Sequence, residues 1–155
     1  MKHVLTILLT VVALSFAGNA SAQCNEELID RGMETLGDFT YLKDFKVRLK
    51  RSTKRNPQVA KYSVMMTKGT KYRFTTENDE TAECAVVFTL YDENGVVITN
   101  QPQGMEKVFK TVDLTCKKSG RYYVTLHFKD GTEGCAVCLL GFENKANKIE
   151  DLLDY

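Results

Sequence analysis

The chain has few residues with chemistry to offer: five cysteines, two histidines and one dense run of cations among 155 residues. Cys135-Ala136-Val137-Cys138 has the two-residue spacing common to zinc and thiol redox sites. A redox pair needs its first cysteine at a helix N-terminus, where the thiolate is stabilised. Here Val137, Leu139, Leu140 and Phe142 surround the pair, which reads as strand. Residues three apart on a strand point to opposite faces, so the two sulfurs cannot share a metal. Disulfide or core roles fit the pair better than zinc or redox chemistry, and no metal or cofactor is expected.

His127 lies in Tyr123-Val124-Thr125-Leu126-His127-Phe128, on the same strand face as Tyr123 and Thr125. That face alternates with Tyr122, Val124, Leu126 and Phe128, so His127 reads as a surface histidine and no catalytic set assembles around it. Two acidic groups, Asp79-Glu80-Glu83 and Asp92-Glu93, sit in turns, where carboxylates serve turn geometry and solubility. Asp92-Glu93-Asn94-Gly95 lacks the longer donor series of a calcium loop and reads as a turn.

The strongest local charge feature runs from Lys43 to Arg55, with seven cations against Asp44 alone. Lys46, Arg48 and Lys50 alternate with Val47 and Leu49, which puts the cations outward on one strand. Two functions fit this stripe. It protects an edge strand against pairing with another chain, or it binds a polyanion such as an acidic glycan.

The elements that position these residues follow from periodicity. Met1-Lys2-His3, the apolar run Val4 to Phe16 and Ala20-Ser21-Ala22 form a signal peptide, residues 1–22, cut before Gln23. Loss of Lys2 leaves 20 basic against 20 acidic residues. A neutral mature chain has no global field for nucleic acid, and no later run is long and apolar enough to span a membrane. Residues 23–37 read as a helical segment, capped by Asn25, with Leu28, Ile29, Met33 and Leu36 on one face and Gly37 at its end. Phe39, Tyr41, Phe45, Val47 and Leu49 fall at period two, with Lys43 breaking the inner face. Short strands then follow at 62–66, 72–76, 84–91, 96–99, 108–116, 121–128 and 135–142, separated by turn residues. This predicts an all-β fold, an antiparallel jelly-roll-like β-sandwich over 38–143 with a short N-terminal helix. The tail, 144–155, has helical spacing at Ile149, Leu152 and Leu153.

Val87 to Ile98, with its Leu90-Tyr91-Asp92-Glu93-Asn94-Gly95 turn, and Lys118-Ser119-Gly120-Arg121-Tyr122-Tyr123-Val124 resemble the bacterial pre-peptidase C-terminal domain. The likeness covers about the last two thirds of the mature chain. It implies a jelly-roll-like sandwich, export and a binding or accessory role; the cysteines are not part of that family's pattern. The resembled sandwich sets the strand beginning at Cys84 beside that of Arg121 to Phe128, whose end leads into Cys135. A Cys84–Cys135 bridge is therefore what the resemblance implies.

The function expected is a secreted or periplasmic non-enzymatic module that binds a protein or glycan. The alternative is a small secreted hydrolase using turn carboxylates, or an enzyme-modulating protein.

Overall fold

The computed structural model describes residues 26–79 and 85–144. The signal peptide, Cys24, the Asn25 cap, Cys84 and the helical spacing of the tail lie outside the described residues.

Helix α1, Glu26–Leu36, opens on two acidic residues that favour a helix N-terminus. It stops at Gly37, whose φ of 60° suits a residue without Cβ. Eight strands follow: β1 (Thr40–Leu49), β2 (Ala60–Met66), β3 (Lys71–Asn78), β4 (Val86–Asp92), β5 (Gly95–Thr99), β6 (Thr111–Thr115), β7 (Gly120–Phe128) and β8 (Gly134–Phe142). They make two antiparallel sheets, β1-β8-β3-β6 and β2-β7-β4-β5. The expected all-β sandwich with a short helix is what forms. The strand expected from Val108 begins only at Thr111, because the segment before it is a loop.

Alternation decides the packing. Phe45, Val47 and Leu49 of β1 face inward, as do Tyr72 and Phe74 of β3, Phe88 and Leu90 of β4, and Tyr122, Val124, Leu126 and Phe128 of β7. The Phe74 and Phe88 rings stack at 4.5 Å across the two sheets. The neighbourhood expected for β4 and β7 is present, with Val86 opposite Phe128 and Val87 opposite His127.

β8 is buried on both faces. Ala136, Cys138 and Leu140 enter the sandwich core, while Cys135, Val137 and Leu139 face a second cluster under α1 that includes Leu28. A Cβ on Gly32 would stand 2.4 Å from a Leu139 methyl, and one on Gly141 2.9 Å from a Leu36 methyl. The helix therefore lies directly on β8, advancing four of its residues for every two of the strand. The expected helix face needs one correction. Leu28, Gly32 and Leu36 make the contact, and Met33 is exposed. A flat approach selects glycine over the larger side chain.

β1 departs from strict alternation. A register shift lies between Tyr41 and Lys43, and Tyr41, expected inward, is exposed, as is Leu42 beside it. Lys43, on the regular side of that shift, is exposed with its Nζ 5.5 Å from the Phe45 ring, so the break in the inner face adjoins a bulge.

Candidate functional site

The stacked sheets have two lateral edges, and they are built differently. At one, β1 lies over β2. The Phe45 and Tyr62 rings pack 5.3 Å apart, and the Tyr62 hydroxyl donates to the Lys46 carbonyl at 2.5 Å. At the other, β5 and β6 are five residues each, too short to bring inward side chains into register across the gap. Ile98 and Leu114 are only partly buried there.

The result is a groove of about 530 Å³ between β5 and β6. Its walls are Val96, Val97, Ile98 and Leu114, its inner end is Tyr122, and Asp92, Lys117 and Lys118 stand at its mouth. A smaller hollow of about 150 Å³ adjoins it and shares Asp92, Lys118 and Tyr122.

Both turns at the mouth are held by hydrogen bonds. The Asn94 amide donates to Asp92 Oδ1 at 2.7 Å, which fixes the turn joining β4 to β5. In the turn joining β6 to β7, the Tyr122 hydroxyl donates to the Lys118 carbonyl at 2.7 Å. Cys116 Sγ lies 3.1 Å from the same oxygen. The Lys68 amide donates to Ser119 Oγ at 2.8 Å, and the Gly69 amide to the Cys116 carbonyl at 2.8 Å. Burial, then the contact with Cys116, pushes the Tyr122 phenol up to about 12, so it stays a donor at every physiological pH. Lys118 pairs with Glu93 across the mouth, which raises the lysine pKa. Lys117 has no carboxylate partner among the described residues. A braced turn with outward lysines thus stands beside an acidic turn, with an apolar trough between them.

The far end of the open edge is closed by Asn100, which is buried. Its Oδ1 accepts from the Phe88 amide at 2.8 Å, and its Nδ2 donates to the Val86 and Phe109 carbonyls at 3.1 and 3.0 Å. Where β5 ends, this one side chain continues the pairing of β4 and ties it to the segment before β6. Periodicity gives no sign of it, because an asparagine after a strand reads as a turn residue.

The cationic stripe lies where alternation puts it. Lys46 and Arg48 are exposed on β1, Lys50 follows the strand end, and β1 is an edge strand. Lys46 lies 3.8 Å from Asp44. Arg48 Nε donates to Cys135 Sγ at 3.2 Å. Arg48 and Lys50 share a shallow hollow of about 290 Å³ with Asp79 and Glu133, so the stripe carries acids along its border.

Cys135 is bonded in a disulfide whose partner lies outside the described residues. Cys116 and Cys138 are free and buried, and burial holds the Cys138 thiol far above its ordinary pKa. Cys135 and Cys138 face opposite sides of the sheet, as strand spacing requires, and no metal-binding cluster occurs among the described residues. His127 is on the outer face of its sheet opposite Val87, half-buried, and that burial lowers its pKa. Asp92 and Glu93 reach the groove mouth; Asp79 lies at the other end, beside Cys135.

No family model matches the chain, and no curated protein does. Among solved structures, it is similar to PliG of Aeromonas hydrophila, a periplasmic lysozyme inhibitor of g-type lysozyme. The TM-score is 0.50 at 8% identity, over 67% of this chain and 88% of that one. At that identity the likeness shows the sandwich fold.

Proposed function

We propose that this is an exported, non-catalytic protein that binds an enzyme through the mouth of the β5–β6 groove, and that a cell-wall glycoside hydrolase is the enzyme class. One observation carries the reading: a hydrogen-bonded turn presents Lys117 and Lys118 outward at the mouth of an apolar groove. Its fold is similar to that of a protein whose described role is lysozyme inhibition. Glycoside hydrolases place a pair of carboxyl groups at the bottom of a cleft. A rigid cationic turn has the charge and the shape to enter such a cleft, and it loses little entropy on doing so. The pre-peptidase C-terminal resemblance rests on the same two turns and supports the same accessory role. The signal sequence and the similarity to a periplasmic protein support a secreted or periplasmic location.

The test is inhibition of cell-wall lysis by g-type lysozyme with the mature protein present. Inhibition that is lost in Lys117→Ala/Lys118→Ala, with an unchanged melting temperature, supports the reading. No effect on g-type or other lysozymes, together with no complex by calorimetry, overturns it. A second reading, an acidic glycan along Lys46, Arg48 and Lys50, is favoured by the outward alternation of those cations on an edge strand.

A further inference from the structure

We propose that the outer face of the β2-β7-β4-β5 sheet binds a carboxylate-bearing saccharide, in the cell-wall glycan chain that the proposed target enzyme would cleave. The choice of glycan rests on that functional reading; the site rests on its own geometry.

The two sheets differ on their outer faces. α1 lies on the first sheet, over β8 and β3, while the second carries no α-helix among the described residues. Strand pairing sets the outward side chains of that second sheet in rows. Tyr91 on β4, Tyr123 on β7 and Ser63 on β2 stand side by side, because Tyr123 pairs with both of the others. Two strand spacings make the row about 10 Å long, the length of a disaccharide. In the next row Thr125 pairs with Lys61. Both tyrosines are half-buried, and Ser63, Lys61 and Arg121 are exposed.

These groups are the ones a sugar needs. A tyrosine ring offers a flat surface whose negative face attracts the C–H bonds of a pyranose, and its phenol adds a hydrogen bond. Thr125 spends its hydroxyl proton on the Thr89 carbonyl at 3.3 Å, which leaves its oxygen as an acceptor for a sugar hydroxyl. Lys61 Nζ lies 4.4 Å from the Tyr123 ring centroid, so its ammonium is held on the sheet beside the row. It has no carboxylate partner among the described residues. Strands β2, β5 and β7 contain no acid, and Asp92 of β4 stands at the groove. Arg121 shares a hollow with Asp92 and Glu93, so the acids gather at its end of the face. An anionic group is therefore drawn to Lys61, with its sugar ring over the tyrosines.

The test is an NMR titration of labelled mature protein with peptide-free glycan oligomers of peptidoglycan, beside uncharged chitotetraose. Shifts centred on Tyr91, Tyr123 and Thr125 are expected, with the acidic oligomer bound several-fold more tightly at low salt. Tyr123→Ala should weaken binding about tenfold. Lys61→Glu, at an exposed position that keeps the fold, should abolish the preference for the acidic oligomer, and it decides the matter even if Tyr123→Ala does not fold. No binding of either oligomer, equal binding of both, or an unchanged preference in Lys61→Glu overturns the inference. Loss of binding on replacing Lys46, Arg48 and Lys50 with Gln also overturns it, because the glycan then lies on the β1 stripe. The same holds if these signals shift on raising protein concentration without sugar, which marks a second copy as the occupant. A protein that binds the oligomers and inhibits no lysozyme upholds this inference and overturns the functional reading; one that inhibits but binds no oligomer does the reverse.

Discussion

The two lateral edges of this sandwich are built from the same material and end differently. Ten residues of β1 lie over seven of β2, with the interlocked Phe45–Tyr62 pair and a hydroxyl-to-backbone bond between sheets. β5 and β6 have five residues each and leave a groove, closed only at one end by Asn100. Strand length is the difference. A long strand carries enough inward side chains to seal an edge, while two short ones leave a trough whose lips are turns. On the function proposed above, the sealed edge serves stability and the open edge recognition, and substitutions on the two sides should separate accordingly.

The largest stability effects belong to the sealed side. Cys135 borders β1 through Arg48, and its bridge should contribute about 4 kcal/mol by the loop-entropy account. Reduction under native conditions should lower the denaturant midpoint by the corresponding amount. The register of α1 on β8 sets Leu36 at Gly141 and Gly32 at Leu139. The partner of Cys135 lies outside the described residues, and non-reducing peptide mapping tests the Cys84 pairing that the sequence resemblance implies. Phe45→Ala, at a fully buried ring, should cost about 3 to 5 kcal/mol in urea unfolding.

Asn100→Ala should come next, at about 2 to 3 kcal/mol, because it strands the buried Phe88 amide and Val86 carbonyl, along with the part-buried Phe109 carbonyl. If it costs nothing, the open edge is not held where we place its clasp.

β6 is fixed to β3 by Arg73, whose Nε and Nη2 donate to the two oxygens of Asp113 at 2.7 and 2.8 Å. That bidentate bond holds the Asp113 pKa below its ordinary value. A carboxyl depressed in the folded state adds stability above its unfolded pKa, near 4, and loses it as pH falls through the lower folded value. The pair is partly exposed, so Asp113→Asn should cost about 1 kcal/mol or less at neutral pH. The same substitution should flatten the loss of stability below about pH 4, read by thermal melts across pH.

The smallest effect on folding is expected from replacing Lys46, Arg48 and Lys50 with Gln, a few tenths of a kcal/mol at most. Heparin retention at low salt measures whether that stripe binds polyanions at all. Retention abolished by the triple variant would move recognition to the sealed edge and break the contrast drawn here.

Much of this fold was legible because alternation is a local property. Phe45, Val47 and Leu49, the outward His127, and the opposed faces of Cys135 and Cys138 all follow from period two. The misread positions are those where a neighbour intervenes. Tyr41 turns outward because β1 bulges against β8, and Met33 yields to Gly32 because the helix lies flat on Leu139. The groove was not legible at all. It is made by strands of different sheets, and nothing in 95–99 or 111–115 says which edge stays open. Only its two turns drew notice, as the motifs of a family resemblance.

Cys138 has a consequence for how the protein is made. It stands three residues from a bridged cysteine, yet it is buried in the core with its thiol held protonated. A protonated, inaccessible thiol cannot attack a disulfide. Once the sandwich closes, the neighbouring bridge is therefore proof against reshuffling from within. Before closure, both sulfurs of the Cys135–Cys138 pair are open to the same oxidant. Correct wiring then depends on timing, with the core sequestering one sulfur before an oxidant can choose between them.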